Sequence, residues 1–125
     1  MFDDINLWLL AAAALSLATL IIHVFVGGPE IAAPVDATDA LSPVVRATNF
    51  YCWHIVTITI AGMTAAYGLS AQGLLPGAAM LSTAYALGFT GWSVALIIMR
   101  RLPWLEMGQW VLFGPITVLG VIGLV

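Results

Sequence analysis

The chain has 125 residues, 62% of them hydrophobic and only 7% charged, with a mean hydropathy of +1.09. A soluble domain carries about 25% charged residues and, when small, has proportionally more surface to cover; three arginines and six acids, a net charge of −3, cannot supply that polar shell, so lipid is the solvent. The same counts exclude a nucleic-acid binder, which needs a basic face, and a disordered acidic tail, which lacks this much aliphatic residue.

A bilayer core about 30 Å thick takes roughly 20 apolar residues of helix, and four uncharged runs of that order lie between breakers. Residues 5–26 form the first, ended by Gly27-Gly28-Pro29. A signal peptide has a basic start and a shorter apolar stretch; this run follows Met1-Phe2-Asp3-Asp4 and reads as a retained first span. Residues 27–46, with Glu30, Asp36, Asp39 and the prolines Pro29, Pro34 and Pro43, read as a structured surface loop. Ser42-Pro43 offers an N-cap and a first-turn proline for a second span over 47–70. Pro76-Gly77 opens a third over 77–99, ahead of Arg100-Arg101, and Pro103 opens a fourth over 104–125, in which Pro115 introduces a kink. The expected fold is all-α: a four-helix transmembrane bundle forming a single domain.

All the positive charge, Arg46, Arg100 and Arg101, falls in the first and third connections, on one side of such a bundle. The positive-inside rule makes that side cytoplasmic, with both termini periplasmic, Asp3 and Asp4 on the outer face, and the bacterial inner membrane as the location. Trp8 and Tyr67 fall near the outer boundary and Tyr51, Trp53, Trp104 and Trp110 near the inner one, the pattern of an aromatic belt.

Ionisable residues within spans are functional-site candidates by default. Here these are His23, His54, Glu106 and the weakly acidic Cys52. His23 lies one turn before the end of the first span and His54 one turn after the second begins, so on antiparallel helices they share a depth. Ala12, Ser16, Thr19, His23 and Gly27 form one small, weakly polar stripe, and His54, Thr57, Ala61 and Ala65, with Gly62 beside them, form another. Such stripes let helices approach closely in lipid, which turns both histidines toward the bundle interior.

Three readings follow. In the first the imidazoles are structural and bond Thr19, Thr57, a backbone carbonyl or water. In the second His23 and His54 bind a haem b iron axially, as cofactor sites in bundles do, with Arg46, Arg100 and Arg101 meeting propionates or lipid headgroups; one histidine holding a chlorophyll-type magnesium is a variant. In the third His23, His54 and Glu106, joined by Glu30 or Cys52, hold a divalent metal. Against that, Glu106 has an ordinary explanation: a carboxylate in the first turn after Pro103 meets a positive helix end. The single Cys52 makes no intrachain disulfide, and two residues from His54 it points away from the histidine face.

The inventory also excludes chemistries. The small four-span multidrug exporters rely on a glutamate in their first helix, and this first span has no acid. Membrane desaturases need more histidines than two, and intramembrane aspartyl proteases need two buried aspartates. Ser16 is about two turns from His23, too far for a nucleophile and its base.

The string His23-Val24-Phe25-Val26-Gly27-Gly28-Pro29-Glu30-Ile31, then Pro34, Trp53-His54-Ile55-Val56-Thr57, and the stretch from Pro103-Trp104 to Gln109-Trp110, resembles a group of uncharacterised small four-span proteobacterial membrane proteins. The likeness covers most of the chain and implies the span count, but no activity, cofactor or partner. The functional expectation is a non-catalytic accessory or assembly subunit of a larger respiratory or photosynthetic membrane complex, with lipid and other membrane subunits or a second copy as partners. Gly88, Gly91, Gly108, Gly120 and Gly123 are its candidate lateral contacts. The alternatives are an electron-transfer protein carrying haem, pigment or metal on His23 and His54, and a small self-associating conduit.

Overall fold

The computed structural model describes residues 5–125; Asp3 and Asp4 lie outside the described residues. The chain is all-α. Helix α1 (Leu7–Ile22) passes without a break into a π-helical segment (His23–Ala32) and the short α2 (Ala33–Ala37), followed by α3 (Pro43–Ala71), α4 (Pro76–Arg100) and α5 (Gln109–Leu124). Helix α1 packs on α3 and α5, and α4 packs on α5 and, least closely, on α3. The result is a four-helix bundle with α1 and α4 across its diagonal.

The elements begin where the local chemistry asks. The Asn6 side chain caps α1 by accepting from the N–H groups of Trp8 and Leu9, two donors that a helix start leaves unpaired. Its amide donates to the Gly123 carbonyl at 2.7 Å, tying the start of α1 to the end of α5. Ser42 caps α3 through the Val45 N–H, with Pro43 in the first turn, as the sequence predicts. Gly73, at φ 74, turns the chain between α3 and α4.

Two boundaries differ from expectation. The first helix does not stop at Gly27-Gly28-Pro29 but continues to Ala37, so the expected 27–46 loop shrinks to 38–42. A proline cannot donate to the helical ladder and its ring crowds the preceding turn; widening to π geometry accommodates that inside an otherwise apolar helix. At the other end α5 begins at Gln109 rather than Pro103. Residues 101–108 are instead folded as turns, held by Met107 N–H on the Pro103 carbonyl at 3.2 Å and by the Trp110 indole N–H on the Trp104 carbonyl at 2.8 Å.

The helical rods Leu7–Ala37, Pro43–Ala71 and Pro76–Arg100 are long and apolar enough to cross a membrane; Gln109–Leu124 is apolar but shorter. The distribution of side chains is that of a protein dissolved in lipid. Ser16, Thr19, Ser82, Thr83 and Ser93 are buried, while Phe25, Ile58, Met80, Trp92 and Ile98 are exposed.

Inside, Leu9, Ile60, Met63, Tyr67, Phe113 and Ile116 pack against alanines of α1 and α4. The α1 stripe Ala12, Ser16 and Thr19 is buried as expected. On α3 the expected stripe faces outward: His54, Ala61, Gly62 and Ala65 are exposed, and Ile60, Met63, Tyr67 and Ser70 form the inner row. The reason is complementarity. Small residues on α1 leave a hollow, which bulky side chains of α3 fill and a second small-residue stripe would leave void.

Candidate functional site

Of the partners open to the imidazoles in the structural reading, His23 meets Thr57. His23, the first residue of the π-helical segment, places its Nε2 3.0 Å from Thr57 Oγ1. The Thr57 hydroxyl donates its own hydrogen to the Trp53 carbonyl, 3.1 Å away. A hydroxyl has one hydrogen and spare lone pairs, so toward His23 it accepts, and Nε2 is the protonated nitrogen. The imidazole also stacks on the Trp53 indole, with centroids 4.0 Å apart and planes inclined by 14°.

Gly27, one turn further on, makes this stack possible. A Cβ there would sit 2.9 Å from Trp53 Cη2, so any larger residue would have to push the indole from its place across His23. His23, Gly27, Trp53 and Thr57 thus form one clasp between the first helix and α3. Trp53 is therefore half-buried against a neighbouring helix, not a free member of the aromatic belt; Tyr67 likewise is 0% exposed, with its hydroxyl 2.9 Å from Thr83 Oγ1.

His54 has a different environment. Contrary to the expectation that both histidines turn inward, it is exposed on the outer surface of α3, where Phe50 of its own helix meets the ring edge-on at 4.4 Å. His23 has its Nε2 at Thr57 and one ring face covered by indole, while His54 lies on the outside of α3.

His23, His54 and Glu106 do not converge. Among the described residues no three His, Cys, Asp or Glu side chains come together to hold a metal. Glu106 precedes α5 and is exposed in the turn, so it is not in the first turn of a helix. Glu30 and Cys52 are exposed as well. Arg46 is engaged within the chain, with Nη1 2.9 Å from the Asp36 carbonyl at the negative end of the first helical rod; Arg100 and Arg101 are exposed.

The glycines divide in the same way. Gly120 and Gly123 serve contacts inside the chain, the first against Tyr67 and Thr83 and the second against Leu9. Gly62, Gly88 and Gly91 have no heavy atom within 4 Å of where a Cβ would be. At Gly62, α3 and α4 separate to leave an open groove of about 550 Å³, lined also by Ile55, Thr59, Ala66, Ser82 and Tyr85 among others. Inside the bundle His23, Thr57, Tyr67 and Thr83 find partners within the chain, although Ser16 Oγ, Arg46 Nε and Gln109 Oε1 are buried without one; the outward face of α3 and α4 combines an imidazole, bare glycines and a groove. No family model matches the chain, and neither the curated proteins nor the solved structures contain a significant match to it.

Proposed function

We propose that this protein is a non-catalytic integral membrane subunit, an accessory or assembly component of a larger respiratory or photosynthetic complex. It sits in the bacterial inner membrane with its arginine-bearing end cytoplasmic. The observation that carries the reading is the outward imidazole of His54, one turn inside the apolar zone of α3. A polar ring facing hydrocarbon forfeits its hydrogen bonds, and such groups in membranes face other protein or a cavity. A neighbouring subunit that covers α3 and α4 would supply the bond. The uncovered glycines Gly62, Gly88 and Gly91 would admit its helix at close range.

The test is the position of the protein on a native gel of its source membrane. Migration with a larger assembly, lost on replacing His54 by Ala or Gly88 by Leu, supports the reading; migration alone at monomer size sinks it. The exposed imidazole also favours a second reading, a chlorophyll-type magnesium held by His54 alone. A visible absorption band from the same gel position, removed by His54→Ala, would decide for the pigment.

A further inference from the structure

The turn between α4 and α5 carries two side chains that the fold itself does not use. Helix α4 ends on Arg100, and its C-cap, Arg101, is left-handed at φ 54 and ψ 42. It is the one non-glycine residue with positive φ among the described residues. Its N–H and that of Leu102 both close on the Ile97 carbonyl, a helix ending that glycine makes with least strain. Closing the helix therefore does not account for an arginine here, and its side chain is exposed.

The surroundings define what that is. Arg100 and Arg101 are exposed, and Glu106 is the one acid in the turn. The other three acids at this end, Glu30, Asp36 and Asp39, belong to the first hairpin, where Arg46 is held by the Asp36 carbonyl. Beside the two guanidinium groups the surface is apolar: Met99 is 68% exposed, Trp104 51% and Leu105 83%. The Trp104 ring meets Trp110 edge-on at 6.1 Å, and the Trp110 indole N–H bonds the Trp104 backbone, so the tryptophans are fixed.

We infer that this turn is a binding site for an anionic phospholipid: Arg100 and Arg101 hold the phosphate, and Trp104, Leu105 and Met99 lie along the glycerol and upper acyl chain. Guanidinium groups pair with phosphate through two donors at once, and indoles settle at headgroup depth. The excess of cation over acid selects against a lipid whose headgroup adds a choline or ethanolamine cation. Charge complementarity and the adjoining apolar surface together specify a lipid where either alone would not.

The whole chain, purified in neutral detergent, is examined by native mass spectrometry with phosphatidylglycerol or phosphatidylcholine added. The wild type retains phosphatidylglycerol preferentially. Arg100→Gln and Arg101→Gln each lower that preference about fivefold, the ratio that follows from the usual contribution of one basic side chain at an anionic membrane surface. Arg46→Gln leaves it unchanged, because its guanidinium already has a partner, and Glu106→Gln raises it. Arg101→Gly keeps the control honest: it relieves the backbone, so the protein melts higher and yet loses the preference. Inorganic phosphate at the same concentration displaces nothing. Equal retention of both lipids by the wild type, an undiminished preference in the double glutamine variant, or displacement by inorganic phosphate would each overturn the assignment.

Discussion

Gly120→Ala tests whether the buried hydroxyl pair at the junction of α3, α4 and α5 sets the spacing of the bundle. Thr83 donates to the Ala79 carbonyl at 2.8 Å, so its oxygen is free to accept from the Tyr67 hydroxyl at 2.9 Å. A Cβ on residue 120 would meet Thr83 Oγ1 most closely, Tyr67 Oη at 2.7 Å and Thr83 Cγ2 at 3.1 Å. Tyr67 is 0% exposed, so a displaced hydroxyl has no water to bond. Overpacking costs about 1–3 kcal/mol, an orphaned buried hydroxyl about 1–3 kcal/mol, and the gain in helix propensity returns about 1 kcal/mol. The expected net loss is about 1–5 kcal/mol. Gly88→Ala, where a Cβ meets nothing within 4 Å, keeps the propensity gain alone and is neutral or stabilising by up to about 1 kcal/mol. Reversible unfolding in mixed micelles of sodium dodecyl sulfate measures both. In a Thr83→Ala background the clash with Thr83 disappears and only that with the Tyr67 hydroxyl remains, giving a coupling of at least about 1 kcal/mol in the double-mutant cycle. Equal unfolding midpoints for Gly120→Ala and Gly88→Ala, or strict additivity with Thr83→Ala, would refute the packing argument.

The clasp and the cap give two further expectations. Thr57→Val removes the acceptor for His23 Nε2–H at constant volume and lowers stability by about 0.5–2 kcal/mol, whereas His54→Ala leaves the unfolding midpoint of the isolated chain unchanged; equal losses from the two would mean that both histidines are internal. Asn6→Ala removes the cap of α1 and the bond to the Gly123 carbonyl together, costing about 1–2 kcal/mol. Hydrogen exchange should then speed up in the first turn of α1 and the last turn of α5; acceleration confined to α1 would show that the long-range bond contributes nothing.

What could be read from the sequence was what depends on local composition. Apolar runs of bilayer length place the helices, Ser42-Pro43 and Pro76 mark two starts, and Arg100 marks an end. What could not be read depends on a partner far along the chain. Gly27-Gly28-Pro29 looks like a stop because nothing nearby shows that Trp53 will lie over Gly27 and that the backbone will widen around Pro29. Pro103 looks like a start because the Trp110 bond to the Trp104 carbonyl, which holds the turn folded, joins residues six apart. The inner face of α3 was missed for a subtler reason. Successive helical positions are about 100° apart, and Thr57 can be grouped with either Trp53 or His54. Small-residue approach favours the His54 row; filling the hollow left by Ala12, Ala13, Ser16 and Thr19 favours the row with Ile60, Met63 and Tyr67.

That one-position choice changes what the two histidines mean. Were both rings inside at one depth, they would be a symmetrical pair and a cofactor between them the natural reading. With the register as found, His23 has an acceptor and a stacking partner within the chain and is explained by the clasp. His54 is left with an edge contact to Phe50 and an outward ring, unexplained by anything the chain holds. The residues left over at the surface are His54 and the bare glycines on one flank, and Arg100 and Arg101 at the turn between α4 and α5. Under the function and the lipid site proposed above, this outward chemistry would meet lipid at one place and a neighbouring subunit at the other.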